Sequence, residues 1–201
     1  MKPAVFLDRD GTINEEVGYI RNLADMRLIP GAGEAIRRLN EQDVPVVLVT
    51  NQSGPARGYY PEDWVRTLHD RLQELLLEEG AILDEVRYCP HLPPDEGGVV
   101  PQYARVCDCR KPGIAMVRQA AEERGYDLRR SYVVGDKASD VELGHRAGTR
   151  TILLQTGYGN DVLAGRYQWQ VRADHVAPDL SRAVDWILQD LVRPVGPSEV
   201  Y

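Results

Sequence analysis

Residues 6–14 read FLDRDGTIN. Two aspartates, Asp8 and Asp10, stand two apart directly behind an apolar run, with Gly11 and Thr12 after them. At the end of a strand such a pair can turn both side chains into one pocket, or offer one side chain and one backbone carbonyl. Carboxylates that close repel each other unless a cation or a proton is shared. Mg²⁺ would relieve the crowding, since it takes octahedral oxygen ligands and ordinarily keeps several waters plus a substrate phosphate. An acidic turn is the plainer account of a lone D-x-D, because such residues are common in turns.

Three further clusters could complete a phosphate site. Thr50-Asn51-Gln52-Ser53-Gly54 follows the apolar run VPVVLV and offers hydroxyls, amides and backbone N–H groups to phosphate oxygens. A capped loop would look the same. In Cys109-Arg110-Lys111-Pro112, the lysine could neutralise phosphate as a point charge and the arginine could grip an anion bidentately. A surface basic pair would be ordinary here. In Val134-Gly135-Asp136-Lys137-Ala138-Ser139-Asp140, Asp136 could complete a metal site begun by Asp8. Asp140 could then orient Lys137 or a metal-bound water, although Asp140 or Ser139 could equally be a helix N-cap.

Cys89-Pro-His91, 15 intervening residues and Cys107-Asp-Cys109 bring all three cysteines of the chain together with one histidine. Three sulfurs and an imidazole in two short pairs form a known structural Zn²⁺ set, with no position left open for a catalytic water. The expected role is to hold an irregular loop in shape. Buried free cysteines or a redox pair are the alternatives. His69 and His145 read as helix-surface or packing residues, and His175 carries no assignment.

The elements that must position these clusters alternate. The spacing predicts strands at Ala4–Leu7, Val44–Val49, 82–88, Tyr132–Val134 and Thr151–Leu154. It predicts helices over 31–41, 61–79, 113–124, 139–147 and 179–191. Strands alternating with helices imply an α/β fold: a Rossmann-like, mainly parallel sheet with helices on both faces. Ligands of such sheets bind beyond the carboxyl ends of the strands, where the residues after Leu7, Val49 and Val134 are all polar. The segments after Asp10 and after Val49 are too short for a large cap domain. One domain over 1–192 is expected, with the zinc loop (89–109) inside it and RPVGPSEVY at 193–201 as a flexible tail.

With 201 residues, one core is expected. A net charge of −7 disfavours nucleic-acid or anionic-membrane partners. An anionic substrate must therefore be held by concentrated cations, and Arg57, Arg110, Lys111 and Lys137 are available. No segment approaches the roughly 20 apolar residues of a membrane span. The start is too briefly apolar for a signal peptide. An odd, clustered set of cysteines suits a reducing compartment, so a cytoplasmic, monomeric protein is expected.

Taken together, the Asp pair, hydroxyl, lysine and further Asp resemble the haloacid dehalogenase superfamily of phosphotransferases. FLDRDGTIN, GYI at 18–20, TNQSG…ARG at 50–58, YCPH at 88–91, CDCRKP at 107–112 and GDK at 135–137 narrow the resemblance to the D-glycero-D-manno-heptose 1,7-bisphosphate 7-phosphatases, over about residues 4–157. The resemblance implies a Mg²⁺-dependent removal of the C7 phosphate of a sugar bisphosphate, in nucleotide-activated heptose synthesis for a surface glycan. Asp8 would be the nucleophile forming an aspartyl-phosphate, and Asp10 the acid and then the base. Asp8, the Asp10 carbonyl and Asp136 would hold Mg²⁺, with Thr50 and Lys111 stabilising the phosphoryl group. Glu16, Val17, Gly18 and Tyr19, together with Thr50, Asn51, Gln52 and Ser53, would contact substrate. Arg110 would recognise the sugar or its distal phosphate, and Lys137 would sit beside metal and substrate. Cys89, His91, Cys107 and Cys109 would hold Zn²⁺. Pro55 and the Gly97–Pro101 stretch depart from the pattern. Histidinol-phosphate phosphatases share the CPHLP…CDCRKP arrangement and are the alternative. A non-catalytic binding module built on the zinc loop is a further one, opposed by the completeness of the Asp8, Asp10, Thr50, Lys111, Asp136 set.

Overall fold

The computed structural model describes residues 1–192; the expected tail at 193–201 lies outside them. Six strands form one sheet: β1 (Val5–Leu7), β2 (Val46–Asn51), β3 (Glu85–Cys89), β4 (Tyr132–Gly135), β5 (Arg150–Leu154) and β6 (His175–Ala177). Their order is β3-β2-β1-β4-β5-β6, and every pairing is parallel. The helices are α1 (Ala32–Glu41), α2 (Glu62–Glu78), α3 (Ala115–Arg124), α4 (Ala138–Ala147), α5 (Gly159–Leu163) and α6 (Leu180–Leu191). Among the described residues no helix is long and apolar enough to cross a membrane.

The central strands read as unbroken apolar runs because both faces of the sheet are covered. Val5, Leu7, Val46, Leu48 and Val134 pack on one face with residues of α1, α2 and α6. The alternate residues Ala4, Phe6, Val47, Val49 and Val133 pack on the other with Met116, Val117 and Ala120 of α3 and Leu143 of α4. Phe6 is fully enclosed, so truncating it would cost about 3–5 kcal/mol. His69 is a packing residue: it is buried in α2, with its ring 5.3 Å from that of Tyr88.

The expected elements are present with ends shifted by a few residues. Asp179 proves to be the N-cap of α6, its carboxylate accepting from Arg182 N at 2.8 Å. The sequence reading lacks α5 and β6, which have five and three residues, and β6 buries only Ala177 fully. Elements so short carry no readable periodicity.

The strand order reverses between β1 and β4, which lie side by side with Leu7 level with Val134. Chains leaving the two strands diverge to opposite sides, opening a crevice at their carboxyl ends. Asp8 and Asp136 are the residues that emerge there.

Candidate active site

A cleft of about 230 Å³ opens at this reversal point. The loop after β1 brings Asp8, Asp10, Glu16, Gly18 and Tyr19 to its wall, and the end of β2 brings Thr50 to Ser53. The 90–114 segment delivers Arg110 and Lys111, and the start of α4 delivers Lys137. Asp136 lies beneath, fully enclosed. Val17 and Arg57 stand outside the wall: Val17 is 44 % exposed, and Arg57 donates to Tyr19 Oη at 2.7 Å and to the Glu96 carbonyl at 3.1 Å. Arg57 therefore braces the rim through Tyr19, whose hydroxyl also lies 3.1 Å from Ser53 Oγ.

Asp8 is buried between two lysines. Lys111 Nζ is 2.7 Å from Oδ1 and Lys137 Nζ is 3.4 Å from Oδ2. Burial pushes its carboxyl up, but Lys111 and then Lys137 outweigh it and hold the group well below the usual carboxylate range. The charge on Asp8 is thus favoured, with its carboxylate facing the cleft.

Lys137 Nζ gathers the oxygens that the sequence reading gave to Mg²⁺: the Asp10 carbonyl at 2.9 Å, Asp136 Oδ1 at 2.8 Å and Asp8 Oδ2. Glu16 Oε2 adds a fourth contact at 3.3 Å. Oxygens of Asp8, Asp136 and Asp140 all lie within 4.8 Å of one another. Burial pushes Asp136 up to about 7 despite Lys137, and Asp8 and Asp140 add to the rise. Around this point the carboxylates Asp8, Asp10, Glu16, Asp136 and Asp140 outnumber the cations Arg9, Lys111 and Lys137, so the donor set fits a hard divalent cation.

Asp10 turns its side chain away from those oxygens. Its carboxylate accepts from Arg9 Nη2 at 2.8 and 2.9 Å, from Asn14 Nδ2 at 2.9 Å and from Gln52 Nε2 at 3.0 Å. Burial raises its carboxyl, and Arg9 more than cancels the rise. Gln52 Nε2 also donates to Thr50 Oγ1 at 3.0 Å, tying the Thr50 hydroxyl to the same carboxylate. Arg9, itself buried, and Asn14 carried no role in the sequence reading, although both stand inside the FLDRDGTIN stretch.

Gly11 allows this crowding. Its φ is +82°, and a Cβ there would lie 2.2 Å from Asp136 Oδ2. A side chain at this position would push into the carboxylate that closes the site.

Lys111 is held by backbone as well as charge. Asn51 Oδ1 accepts from Lys111 N at 2.9 Å while Asn51 Nδ2 donates to Lys111 O at 3.1 Å. Asp140 Oδ1 lies 2.6 Å from Lys111 Nζ, and Asp140 Oδ2 accepts from Lys137 N at 3.1 Å. Lys137, rather than Asp140 or Ser139, is the N-cap of α4, and Asp140 is the third residue of its capping box. The Asp140 carboxylate pins the side chain of Lys111 toward Asp8, where the sequence reading had it orient Lys137 or a metal-bound water.

The four expected zinc ligands converge. The three sulfurs are 3.1 to 3.5 Å apart and His91 Nδ1 is 3.3 Å from Cys109 Sγ, near the ~3.8 Å that tetrahedral Zn–S bonds require. The cysteines are unbridged. Cys109 immediately precedes Arg110, whose Nη1 donates to the His91 carbonyl at 3.3 Å and whose Nη2 pairs with Glu96 at 3.6 Å. The cluster therefore fixes the direction in which Arg110 and Lys111 enter the cleft. The two departures noted in the sequence meet here, since Val99 N and Val100 N both donate to the Ala56 carbonyl, next to Pro55, at 2.8 and 3.0 Å.

Ser139, Tyr158, Tyr167 and Gln168 also line the cleft. Ser139 entered the sequence reading only as a possible helix N-cap, and the sequence gave no sign of the other three, which come from the stretch after β5, far from every motif.

A family model described as haloacid dehalogenase-like hydrolase matches residues 5–71, and a second HAD hydrolase-like model matches 108–183. A D-glycero-D-manno-heptose-1,7-bisphosphate 7-phosphatase of Thermosynechococcus vestitus is 52 % identical over 191 residues, 94 % of this chain and 97 % of that one. The D-glycero-beta-D-manno-heptose-1,7-bisphosphate 7-phosphatase of Escherichia coli K12 is 36 % identical over 190 residues, 94 % and 90 % of the two chains. A crystal structure of the D,D-heptose 1,7-bisphosphate phosphatase of B. bronchiseptica, complexed with magnesium and phosphate, superposes with a TM-score of 0.82 at 34 % identity, covering 94 % of this chain and 99 % of that one.

Proposed function

Since the chain belongs to the D-glycero-D-manno-heptose-1,7-bisphosphate 7-phosphatases, among the haloacid dehalogenase-like hydrolases, we propose that it removes the C7 phosphate of the heptose bisphosphate with Asp8 as nucleophile. The observation that carries the chemistry is Asp8 itself: buried, ionised and held between Lys111 and Lys137 on the floor of a polar cleft.

The Asp8 carboxylate attacks phosphorus, and the bond from phosphorus to the C7 oxygen breaks. An aspartyl-phosphate forms on Asp8, and Asp10 gives its proton to the departing sugar oxygen. Asp10, now a carboxylate, takes a proton from the water that attacks phosphorus, releasing phosphate and restoring Asp8. Splitting one displacement into two is the gain from a covalent route. In the resting site Arg9 keeps Asp10 ionised, which suits the second step. For the first step, the arriving phosphate dianion raises the affinity of Asp10 for a proton, as any added neighbouring negative charge does. Lys111 and the Thr50 hydroxyl stabilise the phosphoryl oxygens, and Arg110 receives the distal phosphate.

Mg²⁺ would be held by Asp8, the Asp10 carbonyl and Asp136, and would neutralise charge on the transferred phosphate. Lys137 Nζ lies among those oxygens, so it would have to give up that position for the divalent ion to be held there. Zn²⁺ held by Cys89, His91, Cys107 and Cys109 would be structural. The same reading makes the chain a monomeric, single-domain enzyme of the cytoplasm, the clustered unbridged cysteines supporting a reducing compartment.

The deciding experiment measures kcat/KM for phosphate release, with Mg²⁺, on the α and β anomers of the heptose bisphosphate and on histidinol phosphate. A preference of about a hundredfold for one heptose anomer, about 2.7 kcal/mol of transition-state binding, is the expected result. Dominant turnover of histidinol phosphate would keep the chemistry and overturn the substrate. Asp8→Asn must abolish turnover, and activity retained in that variant would remove Asp8 as nucleophile.

A further inference from the structure

The segment after β5 approaches the cleft from the side opposite the zinc loop. Tyr158 N donates to Asp136 Oδ2 at 2.8 Å. The Tyr158 ring lies flat on that of Tyr167, with centroids 4.1 Å apart and planes 8° from parallel, and Lys137 Nζ is 5.4 Å from the Tyr158 centroid. Tyr167 packs against the small core formed by Ala138, Val141, Leu153 and Val162, so the pair is anchored rather than adrift in solvent. Gln168 takes a left-handed conformation, φ +57°, unusual for a residue with a side chain. Its Oε1 accepts from Ser139 N at 3.1 Å, in the first turn of α4. Strain of this kind persists where surrounding contacts over-determine it, often beside a functional site.

We propose that Tyr158, Tyr167 and Gln168 form the sugar-facing wall of the cleft and select substrates whose leaving group is a polyhydroxylated ring over small phosphate esters. The proposal rests on the reading of Asp8 as the phosphate end of the cleft. A pyranose presents an apolar C–H face and a rim of hydroxyls. A rigid aromatic pair offers a flat apolar surface of low conformational freedom, with phenol and amide groups to meet the hydroxyls. Among the described residues neither tyrosine hydroxyl is bonded to another side chain, so both remain available as donors to a sugar. Gln168 ties the wall to α4, and so to Lys137 and Asp136.

The test compares kcat and KM for the heptose bisphosphate and for acetyl phosphate, which has no ring, in the wild-type enzyme, Tyr167→Ala, Tyr167→Phe and Gln168→Ala. Tyr167→Ala should raise KM for the heptose bisphosphate about tenfold or more and change acetyl phosphate turnover several-fold less. Tyr167→Phe should recover most of the loss, and Gln168→Ala should follow Tyr167→Ala more weakly. Equal losses on both substrates would make the segment a merely structural support and overturn the proposal, as would an unchanged KM for the sugar. A wild-type enzyme that hydrolyses acetyl phosphate but not the heptose bisphosphate refutes the substrate reading alone. The same Tyr167→Ala comparison on whichever phosphosugar is turned over then decides the wall, an unchanged ratio overturning it. A wild-type enzyme that hydrolyses neither refutes the Asp8 reading and the wall with it.

Discussion

Lys111 reaches Asp8 across the cleft floor at 2.7 Å, with side chains only 2 % and 5 % exposed. The two residues stand about half the sequence apart, and Asp140 on Lys111 closes a buried triad. Removing one partner of a buried ion pair leaves its mates charged and unpaired. Lys111→Met should therefore lower the unfolding free energy by about 3–5 kcal/mol, read by denaturant titration. It should also cut kcat by about 10²–10³, the usual cost of losing one donor to a developing charge.

Gly11→Ala should weaken divalent-ion binding while sparing the zinc loop, because its Cβ would lie 2.2 Å from Asp136 Oδ2. The Mg²⁺ concentration for half-maximal activity should rise at least tenfold, and zinc content, measured by mass spectrometry, should stay at the wild-type level. Unchanged Mg²⁺ dependence would mean that Asp136 does not close the metal site.

Lys137→Met removes the ammonium that sits among the Asp8, Asp10 and Asp136 oxygens. Without substrate, Mg²⁺ should bind this variant more tightly by calorimetry, since no cation has to be displaced. Turnover should fall, since the phosphate loses a positive neighbour. Weaker Mg²⁺ binding would mean that Lys137 supports the ion rather than competing with it.

Cys107→Ser should release zinc, lower thermal stability and raise KM through misplacement of Arg110, which bonds to the His91 carbonyl within the same loop. Zinc content and KM both at wild-type values would refute the four-ligand site.

His69 gives a pH signature to stability. Burial, with Arg9 adding to it, pushes its imidazole down from 6.5 to about 3. Above pH 6.5 the ring is neutral folded and unfolded, and its full contribution is present. Below that, the unfolded chain takes up a proton that the folded one refuses, so stability drops by up to about 1.4 kcal/mol per pH unit toward pH 3. His69→Leu should show a shallower fall in melting temperature between pH 6.5 and 4.5 than the wild type, and parallel curves would contradict the neutral buried ring.

The sequence by itself determined strands β1 to β5 of the sheet and the places where chemistry emerges from them. Val5–Leu7, Val46–Val49 and Tyr132–Val134 announce buried parallel strands because both their faces must be apolar. The residues that follow each are polar because ligands bind at those ends. Asp8, Asp10, Asp136 and the Cys89, His91, Cys107, Cys109 set were legible for the same reason: their spacing along the chain is the spacing of the chemistry. What only the tertiary structure decided is which groups hold those residues. Asn51 clamps the backbone of Lys111, Arg9 turns back on Asp10, Arg57 braces Tyr19 from outside the wall, and Tyr158 and Tyr167 arrive from a stretch without a motif. A side chain's direction depends on backbone torsions and on neighbours distant in the chain. Neither leaves a periodic mark in the sequence, so these contacts exist only once the strands have met.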